Sequence, residues 1–158
     1  MVKKYTGHKD IHGVYHKIIN NVPVFSRYGE FFCGSAAIYF KLIEIVQAKG
    51  IEWILNDINK NTVDKIVCPV ATTLLNRNTI DLLQQYRNAG KETFLFLDPP
   101  YLHSTRPKNT KLYEYEMTDK QHIQFLRAVL MQNCNVMIIH PGCELYDGMM
   151  VCWRGGAK

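Results

Sequence analysis

Stretches with an apolar residue at every third or fourth position alternate along this chain with short stretches that are apolar throughout. The first spacing is typical of helices with one buried face, and the second of strands buried within a sheet. Val14, Ile18 and Ile19 show the helical spacing, whereas Thr93–Leu97 is the most apolar of the short stretches. The predicted elements are helices at 13–21, 38–48, 59–66, 79–87 and after Thr118, and strands at 28–32, 53–55, 93–97 and 135–139.

Polar residues suited to helix caps stand at the expected starts of two of these helices. Asn59 precedes the third helix, and Thr118 with Gln121 three positions later has the pattern of a capping box. In the helix after Thr118 we expect a buried stripe formed by Ile123, Leu126, Val129 and Leu130.

The alternation of strands and helices, joined by short loops, predicts the fold class. Such chains form α/β folds with a mostly parallel sheet, helices on both of its faces and right-handed crossovers. We expect one Rossmann-like domain over residues 1–158, because 158 residues that are 47% hydrophobic supply a single core. Ligands of these folds bind at the carboxyl ends of the strands.

Charge and cysteine content narrow the possible function classes. The formal net charge of +5 favours polyanionic partners without singling out nucleic acid. The five cysteines include no CxxC pair, which argues against a zinc site and against a disulfide framework. No apolar stretch is long enough to span a bilayer, and the start of the chain lacks the pattern of a signal peptide. We therefore expect a cytoplasmic protein without a membrane partner or a metal site.

Three chemically unusual clusters lie where predicted strands end, at residues 30–37, 56–59 and 98–101. The carboxyl ends of parallel strands share one edge of the sheet, so we expect the three clusters to meet there. Their convergence is the main indication of a functional site in the sequence.

The cluster at 98–101 consists of Asp98, Pro99, Pro100 and Tyr101 and directly follows the most apolar strand. Two prolines cannot continue a strand, and they hold the backbone rigidly, so the Asp98 carboxylate and the Pro99 carbonyl become two fixed acceptors. Such acceptors suit an exocyclic amine conjugated to a purine ring, and the Tyr101 ring offers a stacking surface for a base. The alternative is a turn that only ends the strand and caps a helix.

The cluster at 30–37 is a turn of small residues followed by a helix N-terminus, where a backbone can approach a ligand closely. Asp57 ends the next strand, in the position where an acidic side chain typically binds the hydroxyls of an adenosine ribose. Helix capping is the alternative for Asp57. The basic stretch that contains Tyr5 and Lys9 suits a cofactor carboxylate or a DNA phosphate, or else is a solvated tail.

Together these motifs resemble those of the Dam-like adenine DNA methyltransferases, in which the cofactor motifs precede the catalytic motif, and especially the short bacterial and phage members. In that family Lys-Tyr-x-Gly-x-Lys is followed by Glu-Pro-Phe-x-Gly-Ser-Gly, Asn-Asp-Ile-Asn and Asp-Pro-Pro-Tyr. The corresponding segments here are 4–9, 30–36, 56–59 and 98–101. Residues 113–118 with His122, and 144–147 with Trp153 and Arg154, also resemble family segments.

The resemblance implies a methyltransferase fold that binds S-adenosylmethionine and transfers its methyl group in line to the N6 amino group of adenine in DNA. It implies no covalent intermediate and no metal, and it places the protein in the cytoplasm of a bacterium or of a phage-infected cell. The residues that it implies for the cofactor are Tyr5, Lys9, Glu30, Phe32, Gly34, Ser35 and Asp57. Those implied for the adenine are Asp98, Pro99, Pro100 and Tyr101.

The chain departs from the family pattern at several positions. Phe31 and Ala36 replace a proline and a glycine, and His140 with the two residues after it replaces Ser-Gly-Tyr. Neither the family's C-terminal antiparallel hairpin nor a separate target-recognition domain has room here. We therefore expect either that the chain is a fragment or that a second copy or a partner covers the open edge of the sheet.

The loop at 103–111 is polar and basic, and Arg106, Lys108 and Lys111 are its candidate DNA contacts, with a solvated loop as the alternative. Two other function classes stay open. One is a catalytically silent relative that binds DNA, cofactor or a protein partner. The other is a methyltransferase for a different planar amine, such as a protein glutamine, against which Asp98 argues because such enzymes usually carry Asn there.

Overall fold

A computed structural model describes the backbone of residues 14–46, 49–106 and 112–154, and the side chains of 17–46, 49–106 and 112–149. In chain order its helices and strands are α1 (Val14–Asn20), β1 (Arg27–Phe31), α2 (Ala37–Ile45), β2 (Glu52–Asn56), α3 (Lys60–Val63), β3 (Thr72–Leu75), α4 (Thr79–Gln85), β4 (Thr93–Leu97), α5 (Asp119–Leu130), β5 (Asn135–Ile138) and α6 (Glu144–Arg154). A short 3₁₀ turn at His103–Thr105 follows β4.

The five strands form one parallel sheet in the order β3-β2-β1-β4-β5. From β1 the chain builds the sheet outwards in one direction through β2 and β3, and then returns to add β4 and β5 on the other side. A crevice opens at such a reversal point, at the carboxyl ends of β1 and β4. The predicted α/β class with a parallel sheet is confirmed, and the strand order is consistent with a Rossmann-like fold. Ligands of such folds bind at the reversal point.

Alternate residues of β4 pack on opposite faces of the sheet, and all five are buried. Phe94 and Phe96 belong to a core cluster with residues of α1 and α2, whereas Leu95 and Leu97 belong to a second cluster with residues of α4, α5 and α6. Both faces of the sheet are therefore covered by helices, as predicted. This double burial explains why β4 is apolar at every position.

The predicted helix caps are confirmed. The Asn59 side chain accepts a hydrogen bond from the Asn61 amide at the start of α3, and Thr118 and Gln121 form a reciprocal capping box at the start of α5. The buried stripe of α5 differs in part from the prediction. Its buried residues are His122, Phe125, Leu126 and Val129, whereas Ile123 and Leu130 are only half-buried.

Two elements were not predicted from the sequence. β3 is short, lies at one edge of the sheet and leaves Thr73 and Leu74 exposed, so its pattern is neither continuously apolar nor strictly alternating. α6 begins at Glu144, in a segment that the sequence had linked to the methyltransferase family without assigning it a helix. Helix α3 is also shorter than predicted, a single turn that ends at Val63.

β3 and β5 form the two edges of the sheet within the described ranges, and every strand there runs parallel to its neighbours. The described part of the chain also has no helix of the length and apolarity that crossing a membrane would require.

Candidate functional site

A cavity of about 220 Å³ lies at the carboxyl ends of β1, β2 and β4, at the reversal point of the sheet. Residues of all three sequence clusters line it, which confirms that they meet at one edge. The predicted site residues in its lining are Glu30, Phe32, Gly34, Ser35, Asp57, Asp98 and Pro100. Pro99 and Tyr101 are not in the lining, and Tyr5, Lys9, Lys108 and Lys111 lie outside the described residues.

The turn between β1 and α2 has left-handed backbone conformations at every second residue. The φ angles of Phe32, Gly34 and Ala36 are 62°, 53° and 55°. Such angles cost little for glycine but about 1–2 kcal/mol for a residue with a side chain, so the turn is strained at Phe32 and Ala36. Backbone hydrogen bonds hold it, from the Cys33 amide to the Asn56 carbonyl and from the Ala36 amide to the Cys33 carbonyl.

Glu30 is buried beneath this turn and supports the start of α2. One of its carboxylate oxygens accepts hydrogen bonds from the Tyr39 amide and the Tyr28 hydroxyl, each at 2.8 Å. Because Ala36 cannot cap α2 with its side chain, the Glu30 carboxylate takes that role from the end of β1. Its negative charge lies at the positive end of the helix and also at the wall of the cavity.

Asp57 connects the ends of β1 and β2. One carboxylate oxygen accepts a hydrogen bond from the Gly34 amide at 3.0 Å, and the other accepts one from the Asn59 amide at 2.8 Å. Burial raises the pKa of this carboxyl group, while the two amides act in the opposite direction. The cap of α3 is Asn59, so the alternative that Asp57 itself caps this helix is wrong.

Replacing Gly34 by alanine should lower the free energy of unfolding by about 1 kcal/mol, because alanine in the left-handed conformation is strained. The strain acts alone here, since a Cβ atom at Gly34 would meet no other atom within 4 Å. The matched control is Gly148→Ala in α6, where space is also open and alanine favours the helix, so stability should rise. Urea unfolding of the two variants measures both effects, and equal shifts would contradict the backbone explanation.

The Asp98–Tyr101 corner follows β4 directly, as predicted. Asp98 and Pro100 line the cavity, and Pro99 is buried beneath them. The half-buried Tyr101 ring makes edge-to-face contacts with Tyr113 and His140, at centroid distances of 6.4 and 5.5 Å. Burial first, and then the charge of Asp98, raise the pKa of the Tyr101 hydroxyl, so this hydroxyl stays protonated at neutral pH.

Residues 112–117, which we call the cover segment, form one wall of the cavity. Leu112, Tyr113, Glu114 and Tyr115 belong to the lining. The Glu114 carboxylate accepts a hydrogen bond of 2.7 Å from the Asn59 side chain, which ties the cover segment to the end of β2. The sequence pointed to this stretch only through its resemblance to a family loop, and it did not single out Glu114.

Arg106 does not have the exposed position that the prediction of a DNA contact required. Its side chain is 1% exposed and forms a paired salt bridge with Glu116, with N–O distances of 2.9 and 2.5 Å. Arg106 also donates hydrogen bonds to the Tyr101 carbonyl and lies over the Tyr113 ring. Held in this way, Arg106 lowers the pKa of Glu116 to about 2. The residue stabilises the corner from inside the protein instead of contacting DNA from a loop.

A cluster of rings lies behind the corner and was not predicted. The rings of His140 and Tyr146 stack 3.8 Å apart, and the Tyr146 hydroxyl is hydrogen-bonded to Nδ1 of His122 at 2.8 Å. His122 is fully buried, and its Nε2 has no hydrogen-bond partner within the described residues. Burial, with the neighbouring His140 as the next cause, lowers the pKa of His122 to about 4. His140 also has a lowered pKa, mainly because of burial.

We expect the protein to lose about 2 kcal/mol of stability through His122 alone between pH 7 and pH 5. The unfolded chain takes up a proton on this residue below about pH 6.5, whereas the folded protein keeps it neutral down to about pH 4. Folded-state stability is therefore present above pH 6.5 and falls as the pH falls. Glu116 does not contribute in this range, because its carboxylate is charged in both states above its ordinary pKa of 4.5.

Chemical unfolding at several pH values measures this dependence. The control is the double variant His122→Phe with Tyr146→Phe, which removes both hydrogen-bond partners together and leaves neither one unsatisfied. Its pH profile should be flatter than that of the unchanged protein. An equally steep profile would show that other groups cause the loss.

The charge of the cavity wall is strongly one-sided. Four carboxylates line it, those of Glu30, Asp57, Asp98 and Glu114, and no lysine, arginine or histidine is among its described lining residues. A Rossmann-like fold often binds a dinucleotide, whose pyrophosphate such a wall would repel. The described lining of the cavity is therefore acidic in composition.

Comparisons with known proteins add nothing to this picture. No protein-family model matches the chain, and a search of curated proteins gives no match. The geometry of the site and its sequence motifs are therefore the observations that bear on the function of this chain.

Proposed function

We propose that this chain is an S-adenosylmethionine-dependent methyltransferase that acts on the N6 amino group of adenine in DNA. One observation carries the proposal: the Asp98 corner, the turn at Gly34 and the Asp57 carboxylate share a single cavity. Methyl transfer needs a donor and an acceptor held in line within one enclosed site. The resemblance of these same motifs to the Dam-like methyltransferases supports the proposal independently of the cavity.

The charge of the cavity supports the choice of cofactor. S-adenosylmethionine carries a sulfonium and an ammonium group against a single carboxylate and is therefore positive overall, whereas four carboxyl side chains line the cavity. Opposite charges attract more strongly in a partly buried site than in water. The acidic lining of the cavity therefore fits this cofactor better than it fits a nicotinamide dinucleotide, whose two phosphates are negative.

The residues of β1 and β2 would hold the donor. The Asp57 carboxylate would accept hydrogen bonds from the ribose hydroxyls, in the role that an acidic residue has at this place in related folds. Gly34 itself has no side chain to keep a ligand away from the backbone of the turn, and the space at its missing Cβ is open. Glu30 adds negative charge beside the turn, and the proposal assigns Phe32 and Ser35 to the same pocket. Tyr5 and Lys9 remain predicted contacts.

The corner after β4 would hold the acceptor. The Asp98 carboxylate, which lines the cavity, would accept a hydrogen bond from the adenine amine, which favours a geometry with a usable lone pair on nitrogen. The Pro99 carbonyl, which is outside the lining, remains a predicted second acceptor. Tyr101, whose ring is outside the lining and packs edge-to-face on Tyr113 and His140, remains a predicted stacking partner for the base. Such stacking would recover part of the cost of removing the base from a duplex, about 1–3 kcal/mol. S-adenosylmethionine, when bound, supplies the activated methyl group. The protein contributes alignment and a site that excludes water.

The decisive experiment is methylation of DNA that contains no N6-methyladenine. The purified protein is incubated with this DNA and with S-adenosylmethionine that carries an isotopically labelled methyl group. The DNA is then digested to nucleosides, and mass spectrometry identifies the labelled product. A pool of random sequences is the suitable substrate, because contacts between loop side chains and base edges determine the recognition sequence of such a protein.

Labelled N6-methyl-2′-deoxyadenosine in the digest would support the proposal, and its absence over a range of conditions would contradict it. Calorimetry with S-adenosylmethionine separates the remaining possibilities. Binding without any methyl transfer would favour the alternative, a catalytically silent protein that keeps the fold. Label in protein instead of DNA would favour a different planar amine as the acceptor.

A further inference from the structure

The peptide group between Tyr101 and Leu102 is held from both sides. Its carbonyl oxygen accepts a hydrogen bond of 2.8 Å from Nε of Arg106, and a second one from the guanidinium Nη2. Its amide donates a hydrogen bond of 3.1 Å to Nε2 of His140. This peptide group directly follows Pro100 and Tyr101, so it fixes the position of the last residue of the corner.

The Tyr101 carbonyl is held by Arg106, which is buried and is paired with the half-buried Glu116. Arg106 is held by both carboxylate oxygens of Glu116, and its side chain is 1% exposed. Breaking such a pair is costly, because the remaining charge would be left without compensation. A planar guanidinium that makes paired contacts also has little freedom to move. The Tyr101 carbonyl is therefore attached to a rigid group.

The hydrogen bond from the Leu102 amide determines which tautomer His140 adopts. Because the Leu102 amide is a donor, Nε2 of His140 must be the acceptor, and the ring proton lies on Nδ1. That proton is directed to the Pro141 carbonyl, at an Nδ1–O distance of 2.7 Å. Stacking on Tyr146 holds the plane of the ring. His140 thus offers a fixed acceptor from the segment that follows β5.

The same ion pair connects the corner with the cover segment. The Oε1 atom of Glu116 accepts hydrogen bonds from the Leu112 and Tyr113 amides, each at 3.0 Å. Leu112 and Tyr113 line the cavity, so one carboxylate fixes a wall of the site, and through Arg106 it also fixes the corner. The two parts of the site cannot move independently of each other.

We propose that Arg106 and His140 are positioning residues for methyl transfer, which hold the Tyr101–Leu102 peptide group and with it the corner that presents Asp98 to the cavity. The inference depends on the proposed function for its catalytic consequence. Neither residue touches the reacting atoms in this scheme. Their contribution is alignment, and a misplacement of about 1 Å at a reacting centre can reduce a rate about a hundredfold.

The test compares His140→Ala with His140→Gln and adds Arg106→Lys. Alanine removes the acceptor for the Leu102 amide, whereas the glutamine side-chain oxygen can replace it. We expect kcat to fall about tenfold to a hundredfold in His140→Ala and Arg106→Lys, with the Kd for S-adenosylmethionine nearly unchanged. His140→Gln should restore kcat to within about threefold of the unchanged protein. Thermal unfolding confirms that each variant is folded at the assay temperature.

A second measurement does not depend on activity. Amide hydrogen exchange at Leu102 should be at least about tenfold faster in His140→Ala than in the unchanged protein or in His140→Gln. If the unchanged protein transfers no methyl group, the proposed function fails, and the exchange result still decides whether His140 holds this peptide group. Unaltered exchange in His140→Ala would overturn the inference. So would an unchanged kcat, or equal losses of kcat and of cofactor affinity, since those indicate a general structural role.

Discussion

Replacing Asp98 with alanine should reduce the rate of methyl transfer to adenine by about a hundredfold to a thousandfold. The side chain lines the cavity at the end of β4, next to the rigid pair of prolines. In the proposed reaction its carboxylate accepts a hydrogen bond from the amine and helps to localise the nitrogen lone pair. Alanine removes that acceptor but leaves the turn at Gly34 and Asp57 unaltered. The Kd for S-adenosylmethionine should therefore stay within about threefold of its original value.

Single-turnover rates with labelled cofactor measure the first quantity, and calorimetry measures the second. The matched control is Asp64→Ala, which removes an exposed carboxylate whose salt-bridge partner on the surface of the protein is Lys60. This variant should keep both the rate and the affinity. Substantial transfer by Asp98→Ala would refute the role of this residue and would remove the main support for adenine as the acceptor.

In contrast to Asp98→Ala, the variant Asp57→Ala should weaken cofactor binding. Its Kd for S-adenosylmethionine should rise about tenfold to a hundredfold. The variant loses the carboxylate expected at the ribose, and it also loses the acceptor for the Gly34 and Asn59 amides. The turn and the start of α3 should loosen together. The free energy of unfolding should fall by about 2 kcal/mol, since two hydrogen bonds to a charged group disappear.

Asp57→Asn separates the two contributions, because asparagine keeps one oxygen acceptor and nearly the same shape. It should recover most of the stability, but the negative charge remains lost and the affinity should recover only in part. Calorimetry and urea unfolding on the three proteins give both quantities. Full affinity in a folded Asp57→Ala variant would show that the donor does not contact this carboxylate.

The sequence predicted best those elements whose residues are determined by their immediate neighbours. β4 is buried on both faces, so each of its residues is apolar, and two prolines mark its end. The caps at Asn59 and Thr118 are local interactions over two or three residues. β3 was missed because an edge strand with exposed positions has no such uniform pattern. The buried face of α5 was predicted only in part, because it depends on how α5 packs against α4 and α6, which the sequence of α5 alone does not show.

The same distinction applies to the site. Glu30, Gly34, Asp57 and Asp98 follow directly from strand ends, and the parallel sheet brings strand ends together. Arg106 was misplaced because a charged residue in a polar stretch suggests exposure. Its burial depends on Glu116, ten positions later, and on the Tyr101 carbonyl. The role of His140 depends on an amide 38 positions earlier in the chain, a pairing that only the folded structure reveals.

The four carboxylates of the cavity wall have a consequence for the end of the catalytic cycle. Losing its methyl group converts the sulfonium of the donor into an uncharged thioether, so the spent molecule carries one positive charge fewer than the molecule that entered. In the proposed reaction, the attraction between the donor and the carboxyl groups at Glu30, Asp57, Asp98 and Glu114 would therefore weaken once the methyl group has been transferred. This weakening would favour departure of the by-product.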